Sequence, residues 1–108
     1  MQCKDGPMKP NRQQTDSEKK KTEDALCEAV GSLDGIDEIR NFLLDLCTPA
    51  ELQALVDRWQ VVALLEENIP YRQIHDQTGV SVTTIGRVAR CLSDGSGGYQ
   101  TVIDRISH

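Results

Sequence analysis

The chain has 108 residues, of which 38% are hydrophobic, 27% are charged and only 4% are aromatic, and its formal net charge is −5. This length is enough for one small domain, and the composition predicts a mainly aliphatic core. No apolar run approaches the roughly 20 residues of a membrane-spanning helix, and residues 1–11 lack the apolar segment of a signal peptide. We therefore expect a cytoplasmic protein with no membrane partner.

The four cysteines, Cys3, Cys27, Cys47 and Cys91, are widely spaced and include no C-x-x-C pair. This spacing argues against a disulfide framework and against a zinc site. Because the last three have apolar neighbours, we predict that they are small buried hydrophobic side chains.

The charge is distributed unevenly along the chain. Residues 25–68 contain nine acidic and two basic side chains, a net charge of −7. Residues 69–92 contain three arginines and one aspartate, a net charge of +2. The acidity therefore belongs to the middle of the chain, and the segment that follows it is locally basic.

The first part of the chain is polar and contains Pro7 and Pro10. This composition predicts a disordered polar arm over residues 1–21, followed by a helical domain over residues 22–108. The basic triplet Lys19–Lys21 is either solvated charge or a weak contact to DNA phosphates, and we favour solvated charge. From Thr22 the apolar residues recur with helical spacing, and a first helix ends between Gly31 and Gly35.

A second apolar stripe begins at Ile36 and predicts a helix that closes at Thr48–Pro49. Thr48, Pro49 and Glu51 then have the pattern of a capping box with proline at the first helical position, so a long helix should run to about Asn68. This helix is apolar on more than one side, and the core of so short a chain is small. Both features favour a homodimer in which the second subunit covers part of the helix.

Pro70 ends the long helix, and residues 71–78 form a short helical pattern. Gly79 should make a turn and Ser81 should cap the next helix, "VTTIGRVARCL". After the glycine-rich loop at residues 93–98, a final helical pattern completes the chain. No segment has a strand pattern, so we predict an all-α fold of about six helices.

Residues 70–92 have the spacing of a helix-turn-helix, in which two helices meet at a tight turn. The apolar positions that would hold the two helices together are Ile74, Val80, Ile85 and Val88. An ordinary helical hairpin would explain this apolar spacing equally well. It would not explain why polar and basic side chains gather on the outward side of the second helix, beside Val82, and this favours a DNA-binding element. These side chains are Thr83, Thr84, Arg87 and Arg90.

His75 departs from this pattern, because helix-turn-helix elements usually carry alanine at that position, where the helices touch. Either His75 tilts outward or the two helices pack more loosely. A catalytic or metal-binding role is disfavoured, since the only other histidine is His108. We find no nucleophile motif, paired-carboxylate signature, phosphate loop or metal-ligand cluster, and we expect no enzymatic activity.

The ordered blocks "LCTPAE", "YRQI", "TIGRV" and "RCL…G…GY" resemble the Trp repressor superfamily. The closest resemblance is to its YerC/YecD branch of bacterial Trp-repressor-like proteins, and it covers about residues 24–106. It implies an intertwined all-helical homodimer with one helix-turn-helix in each subunit. Double-stranded DNA with a two-fold symmetric operator would be its partner, with half-sites about 34 Å apart.

The resemblance also assigns DNA-binding residues. Arg72 matches the family's guanine-contacting arginine, and Val82, Thr83 and Gly86 match positions that approach base edges. Arg87 and Arg90 would lie near phosphates, with Thr84 beside them. With acid concentrated elsewhere in the chain, we expect weak binding to non-specific DNA and strong dependence on these few contacts.

The resemblance implies an effector pocket as well. The family holds tryptophan between two arginines that match Arg58 and Arg87, beside Thr84 and main-chain carbonyls near Thr48. Two positions depart from the family: Val88 replaces a glycine and would intrude on a planar ring, and Cys91 replaces a serine and is a poorer hydrogen-bond partner. We therefore expect no cofactor, and we disfavour tryptophan as corepressor. Arg58 would then be a structural cation paired with a nearby acidic residue such as Asp57 or Asp45.

The favoured hypothesis is a sequence-specific DNA-binding transcription regulator, a repressor acting as a homodimer on the nucleoid and independent of tryptophan. Two alternatives remain. One is a helical dimeric protein-interaction module with a vestigial helix-turn-helix, and the other is a tryptophan-dependent repressor.

Overall fold

The computed structural model describes residues 15–107, in which six helices and no strands occur. The all-α prediction and its six helices are confirmed for this range. The helices are α1 (Asp16–Gly31), α2 (Ile36–Leu46), α3 (Pro49–Glu66), α4 (Tyr71–Thr78), α5 (Val82–Asp94) and α6 (Gly98–Ile106). The chain divides into two compact units, the first ending at Phe42 and the second beginning at Leu43. None of the helices described is long and apolar enough to cross a membrane.

Helix α1 starts earlier than the sequence pattern predicted. Thr15 caps it through a capping box: the Thr15 hydroxyl accepts from the Glu18 amide at 3.1 Å, and the Glu18 carboxylate accepts from the Thr15 amide at 3.0 Å. Residues 16–21, predicted as part of a disordered arm, are therefore helical, because this cap outweighs the polar composition. The remainder of the predicted arm, residues 1–14, lies outside the described residues. Lys20 is paired with Asp24 at 3.3 Å on an exposed face, as solvated charge would be.

Helix α3 begins as its sequence predicted. The Thr48 hydroxyl accepts from the Glu51 amide at 3.1 Å, the Glu51 carboxylate accepts from the Thr48 amide at 2.8 Å, and Pro49 occupies the first turn. The helix ends at Glu66, and Asn68 adopts a left-handed backbone conformation with φ of 63°. Pro70 then precedes α4, as predicted.

The hydrophobic core lies where α3, α4 and α5 pack on one another, with α6 against α5. Ile74, Val80, Ile85 and Val88 are all buried there, which confirms the prediction that they hold the two short helices together. The valines of α3 that complete the core are Val61 and Val62.

The prediction that three cysteines are buried was wrong within one subunit for Cys27 and Cys91 and only partly right for Cys47. Cys27 and Cys91 are exposed, and Cys47 is half-buried. Cys91 lies on α5 next to Leu92, a partly buried residue that packs against the core, but it faces a different side of the helix. The apolar side chains beside Cys27 on α1, Leu26 and Val30, are themselves each 46% exposed, so apolar neighbours in sequence did not imply burial.

Candidate nucleic-acid interface

Helices α4 and α5 are joined by a three-residue turn that begins at Gly79. Gly79 has φ of 77°, in the left-handed region that glycine adopts without a steric penalty, and its amide donates to the His75 carbonyl at 2.8 Å. Ser81 then caps α5, its hydroxyl accepting from the Thr84 amide at 3.1 Å. Both residues therefore have the roles that the sequence predicted.

Side chains of α4 hold this turn in place. The Nδ1 atom of His75 lies 2.7 Å from the carbonyl oxygen of Val80. Because a carbonyl can only accept, Nδ1 must carry the proton and donate it. The Thr78 hydroxyl donates to the Ile74 carbonyl at 2.8 Å and accepts from the Val80 amide at 3.0 Å. His75 is exposed, so of the two alternatives it tilts outward, and there it bonds across the turn.

Replacing His75 tests this hydrogen bond. His75→Ala should lower the free energy of unfolding by about 1 kcal/mol, the net value of a typical hydrogen bond. His75→Asn should recover most of that loss, because the asparagine Nδ2 occupies nearly the position of the histidine Nδ1. His75→Gln places its nitrogen one bond further out and should resemble alanine. Thermal unfolding at one fixed protein concentration measures all three, and equal melting temperatures for the asparagine and glutamine variants would contradict the assignment.

We define the recognition surface as the seven residues that the sequence predicted to contact DNA: Arg72 on α4, with Val82, Thr83, Thr84, Gly86, Arg87 and Arg90 on α5. Five of the seven are exposed, and Thr84 and Gly86 are half-buried. Val82 is 51% exposed although it is apolar. The Thr84 hydroxyl accepts from the Ser81 hydroxyl at 3.1 Å, which ties it to the helix cap.

The arginines of the recognition surface have no acidic partners within the part of the chain that the structure describes. Among residues 15–107 the ion pairs within 4 Å are Lys20–Asp24 and Arg40–Asp37, both in the first unit. Arg72, Arg87 and Arg90 are therefore free of internal carboxylates in the described structure, although the chain has more acidic than basic residues. Guanidinium groups in this state are available to bind an external anion or a base edge.

Two of the six residues predicted for an effector pocket, Thr48 and Val88, have structural roles within one subunit. The Thr48 hydroxyl serves the α3 capping box, and its carbonyl accepts from the Leu52 amide at 2.9 Å. The Val88 side chain, only 1% exposed, belongs to the core. Arg58 is half-buried on α3, whereas Thr84, Arg87 and Cys91 lie on α5, which packs against α3.

The predicted pairing of Arg58 with an acidic side chain was wrong within the described residues. Neither Asp57 nor Asp45 lies within 4 Å of its guanidinium. Asp57 instead accepts from the Gln53 side-chain amide at 2.9 Å, one helical turn away. Residues adjacent in a helix point in different directions, so the neighbour in sequence was not the neighbour in space.

The sequence did not reveal a groove of about 280 Å³ beside the start of α3. Three of its lining residues, Leu44, Leu52 and Val56, have large aliphatic side chains, and Cys47, Pro49 and Gln53 complete it. Two of the aliphatic side chains are exposed. The sequence feature that could have revealed this groove is the distribution of apolar residues on more than one side of α3.

Comparison with known proteins supports the resemblance of the sequence. The family model described as Trp repressor protein matches residues 21–107. The uncharacterized protein YerC of Bacillus subtilis (strain 168) is 39% identical over 93 residues, which are 86% of this chain and 89% of YerC.

Solved structures agree with the sequence match. The crystal structure of a TrpR-like protein from Eubacterium eligens superposes with a TM-score of 0.77 at 35% identity, covering 86% of this chain and 96% of that one. A candidate Trp repressor from Staphylococcus aureus gives a TM-score of 0.75 at 33% identity, covering 87% and 96%. The chain therefore belongs to the Trp repressor family of DNA-binding regulators, in the branch that includes YerC.

Proposed function

We propose that this protein is a homodimeric transcription regulator that binds a specific double-stranded DNA sequence, acts as a repressor and does not need tryptophan. The observation that carries the proposal is the recognition surface, where the three arginines of α4 and α5 are exposed and have no carboxylate partner among residues 15–107, and where Val82 is exposed at the start of α5. Membership of the Trp repressor family supports the same function.

The chemistry of the recognition surface supports distinct roles for its residues. The guanidinium of Arg72 matches the O6 and N7 acceptors of guanine in the major groove. Val82 and Thr83, at the start of α5, suit base edges, and the exposed valine is complementary to a thymine methyl group. Arg87 and Arg90 suit phosphates, which contribute affinity without sequence information.

Dimerisation is supported by apolar side chains that one subunit leaves in contact with solvent. Nine large hydrophobic residues of α1, α2 and α3 are exposed, including Trp59 at 37% and Ile36 at 72%. The others are Leu26, Val30, Ile39, Leu44, Leu46, Leu55 and Val56. Burying such surface is the main favourable term in subunit association, and a second copy of the chain is the partner that we propose for it.

A two-fold symmetric dimer would present two copies of α5 to one face of the duplex. Its operator would therefore be two-fold symmetric, with half-site centres about one turn, ~34 Å, apart. Because the acidic residues are concentrated outside residues 69–92, repulsion from phosphates should keep non-specific binding weak.

Independence from tryptophan is supported by the position that follows Arg87. The Val88 side chain is buried in the core, so it could make room for a ligand beside α5 only by leaving a cavity behind. Cys91 supplies only a weak donor and acceptor near the position of the ligand's polar end in the family. An unpartnered polar group at a buried ligand site costs roughly 1–3 kcal/mol, which is enough to remove most of the affinity for a small ligand.

Selection from a random DNA pool tests the proposed function. The purified protein should enrich sequences with a two-fold symmetric motif, and its affinity for the selected site should be the same with and without L-tryptophan. Binding that appears only with L-tryptophan would show a tryptophan-dependent repressor instead. Uniform, salt-sensitive binding to all sequences, together with one stoichiometric protein partner, would favour the protein-interaction module.

A further inference from the structure

Gly86 lies in the middle of α5, where glycine is unfavourable. A glycine inside a helix is about 1 kcal/mol less favourable than alanine, because its backbone loses more freedom on folding. Its neighbours among residues 15–107 show no packing reason for the missing side chain. A Cβ added at Gly86 would meet only the Arg90 Nη1 atom, at 3.8 Å, which is an ordinary van der Waals contact. Alanine would therefore fit the subunit.

Gly86 lies on the outward side of α5, between two residues of the recognition surface. Val82 precedes it by four residues and Arg90 follows it by four, so the three residues form one row along the helix. Ile85 and Val88, in contrast, are buried in the core. The Arg90 guanidinium extends back along the helix over Gly86, with its Nη1 atom 3.8 Å from the position of an added Cβ, so residue 86 presents only backbone and a flexible arginine end between the Val82 and Arg90 positions.

We propose that Gly86 is a specificity-determining position, at which a base-pair edge packs directly against the backbone of α5. The proposal rests on the proposed function, because it needs α5 to enter the major groove. A base edge that packs here displaces the flexible end of Arg90, lies next to the bases that Val82 contacts, and leaves the guanidinium within reach of the adjoining phosphate. Any side chain at residue 86 would hold the helix away from the bases, and the loss of helix stability is the cost of that close approach.

The variant Gly86→Ala should therefore change stability and DNA binding in opposite directions. The melting temperature of the free protein should rise by about 4 °C, the shift expected from better helix propensity. Affinity for the selected operator should fall at least tenfold, whereas affinity for unrelated duplex DNA should change less than threefold. Gly98→Ala is the control, because Gly98 is the first residue of α6, lies outside the recognition surface, and a Cβ there would meet nothing within 4 Å among the described residues. It should leave both affinities unchanged.

A double-mutant cycle with Arg90→Ala separates direct contact from an indirect effect. If alanine at residue 86 acted only by displacing Arg90, the double variant would bind no more weakly than Arg90→Ala alone. We expect the tenfold loss to persist in the Arg90→Ala background. If the tenfold loss persists, it supports a direct contact between the base edge and residue 86. If the loss disappears, the proposed contact is refuted.

The remaining outcomes also decide the question. If the wild-type protein selects no DNA sequence, the proposed function fails and this inference fails with it. If the wild-type protein binds a selected operator and Gly86→Ala binds it equally well, only the role of Gly86 is refuted. An equal loss for operator and unrelated DNA would place the contact at the phosphate backbone and overturn the assignment to a base edge. A fall in melting temperature would refute the claim that glycine weakens α5.

Discussion

Replacing Ile85 with alanine is expected to lower the free energy of unfolding by about 2–5 kcal/mol, the range for truncating a fully buried isoleucine. The Ile85 side chain is 0% exposed and belongs to the cluster formed by Ile74, Val80 and Val88 with the two valines of α3. The core of this chain is small, so few neighbours can move to fill the cavity. A small domain has only a few kcal/mol of net stability, so this loss should leave much of the protein unfolded at 37 °C.

Two further variants in the same helix calibrate this prediction. Ile85→Val removes one methylene and should cost about 0.5–1.5 kcal/mol. Val82→Ala removes an exposed side chain from α5 and should change stability by less than about 0.5 kcal/mol. Urea unfolding at one fixed protein concentration provides the measurement, because the stability of a dimer depends on concentration. If Ile85→Ala and Val82→Ala had similar midpoints, residue 85 would not be a core position.

The strongest sequence signals were those that depend only on local chemistry. The sequence correctly predicted the capping box of Thr48 and Glu51, the turn at Gly79 and the helix cap at Ser81. A capping hydrogen bond or a left-handed turn involves only residues within a few positions of each other. Thr15 and Glu18 form the same kind of box, yet the helix start there was missed because the polar composition that surrounds it dominated the prediction.

Predictions that depended on contacts between helices were less reliable. Cys27 and Cys91 have apolar neighbours in the sequence, but whether a helix face is covered depends on which helices pack against it. The pairing of Arg58 with Asp57 failed for a related reason, since the preferred partner of Asp57 lies one turn earlier, at Gln53. The bond from His75 to Val80 depends on the exact path of the turn, which no spacing rule defines.

Gly86 shows a different limit of prediction from the sequence. Sequence propensity marks it as unfavourable, but only the structure shows that a side chain would fit there without a clash. A residue that destabilises its helix and is not required by packing is a candidate for function, because no structural contact compensates for the lost stability. The recognition surface thus follows from two kinds of information: residue chemistry in the sequence, and the absence of carboxylate partners for its arginines among residues 15–107.

Replacing Arg72 with alanine is expected to weaken binding to the selected operator by roughly 5- to 150-fold, the equivalent of about 1–3 kcal/mol for one bidentate contact to guanine. Binding to unrelated DNA should fall much less, so that discrimination is lost. Arg72→Lys should not restore it, because an ammonium group lacks the planar pair of donors. The protein should also fold normally, since the Arg72 side chain is exposed and has no internal carboxylate partner among the described residues.

Two arginines serve as controls for charge in this experiment. Arg105→Ala removes the same charge from the last turn of α6, outside the helix-turn-helix, and should leave operator discrimination intact. Arg90→Ala should weaken binding to all sequences alike and reduce the dependence of log affinity on log salt by about one. Mobility shifts with operator and scrambled duplexes at several salt concentrations separate these effects. If Arg72→Ala lowered both affinities equally and reduced the salt slope, Arg72 would bind phosphate, and base recognition would have to come from α5 alone.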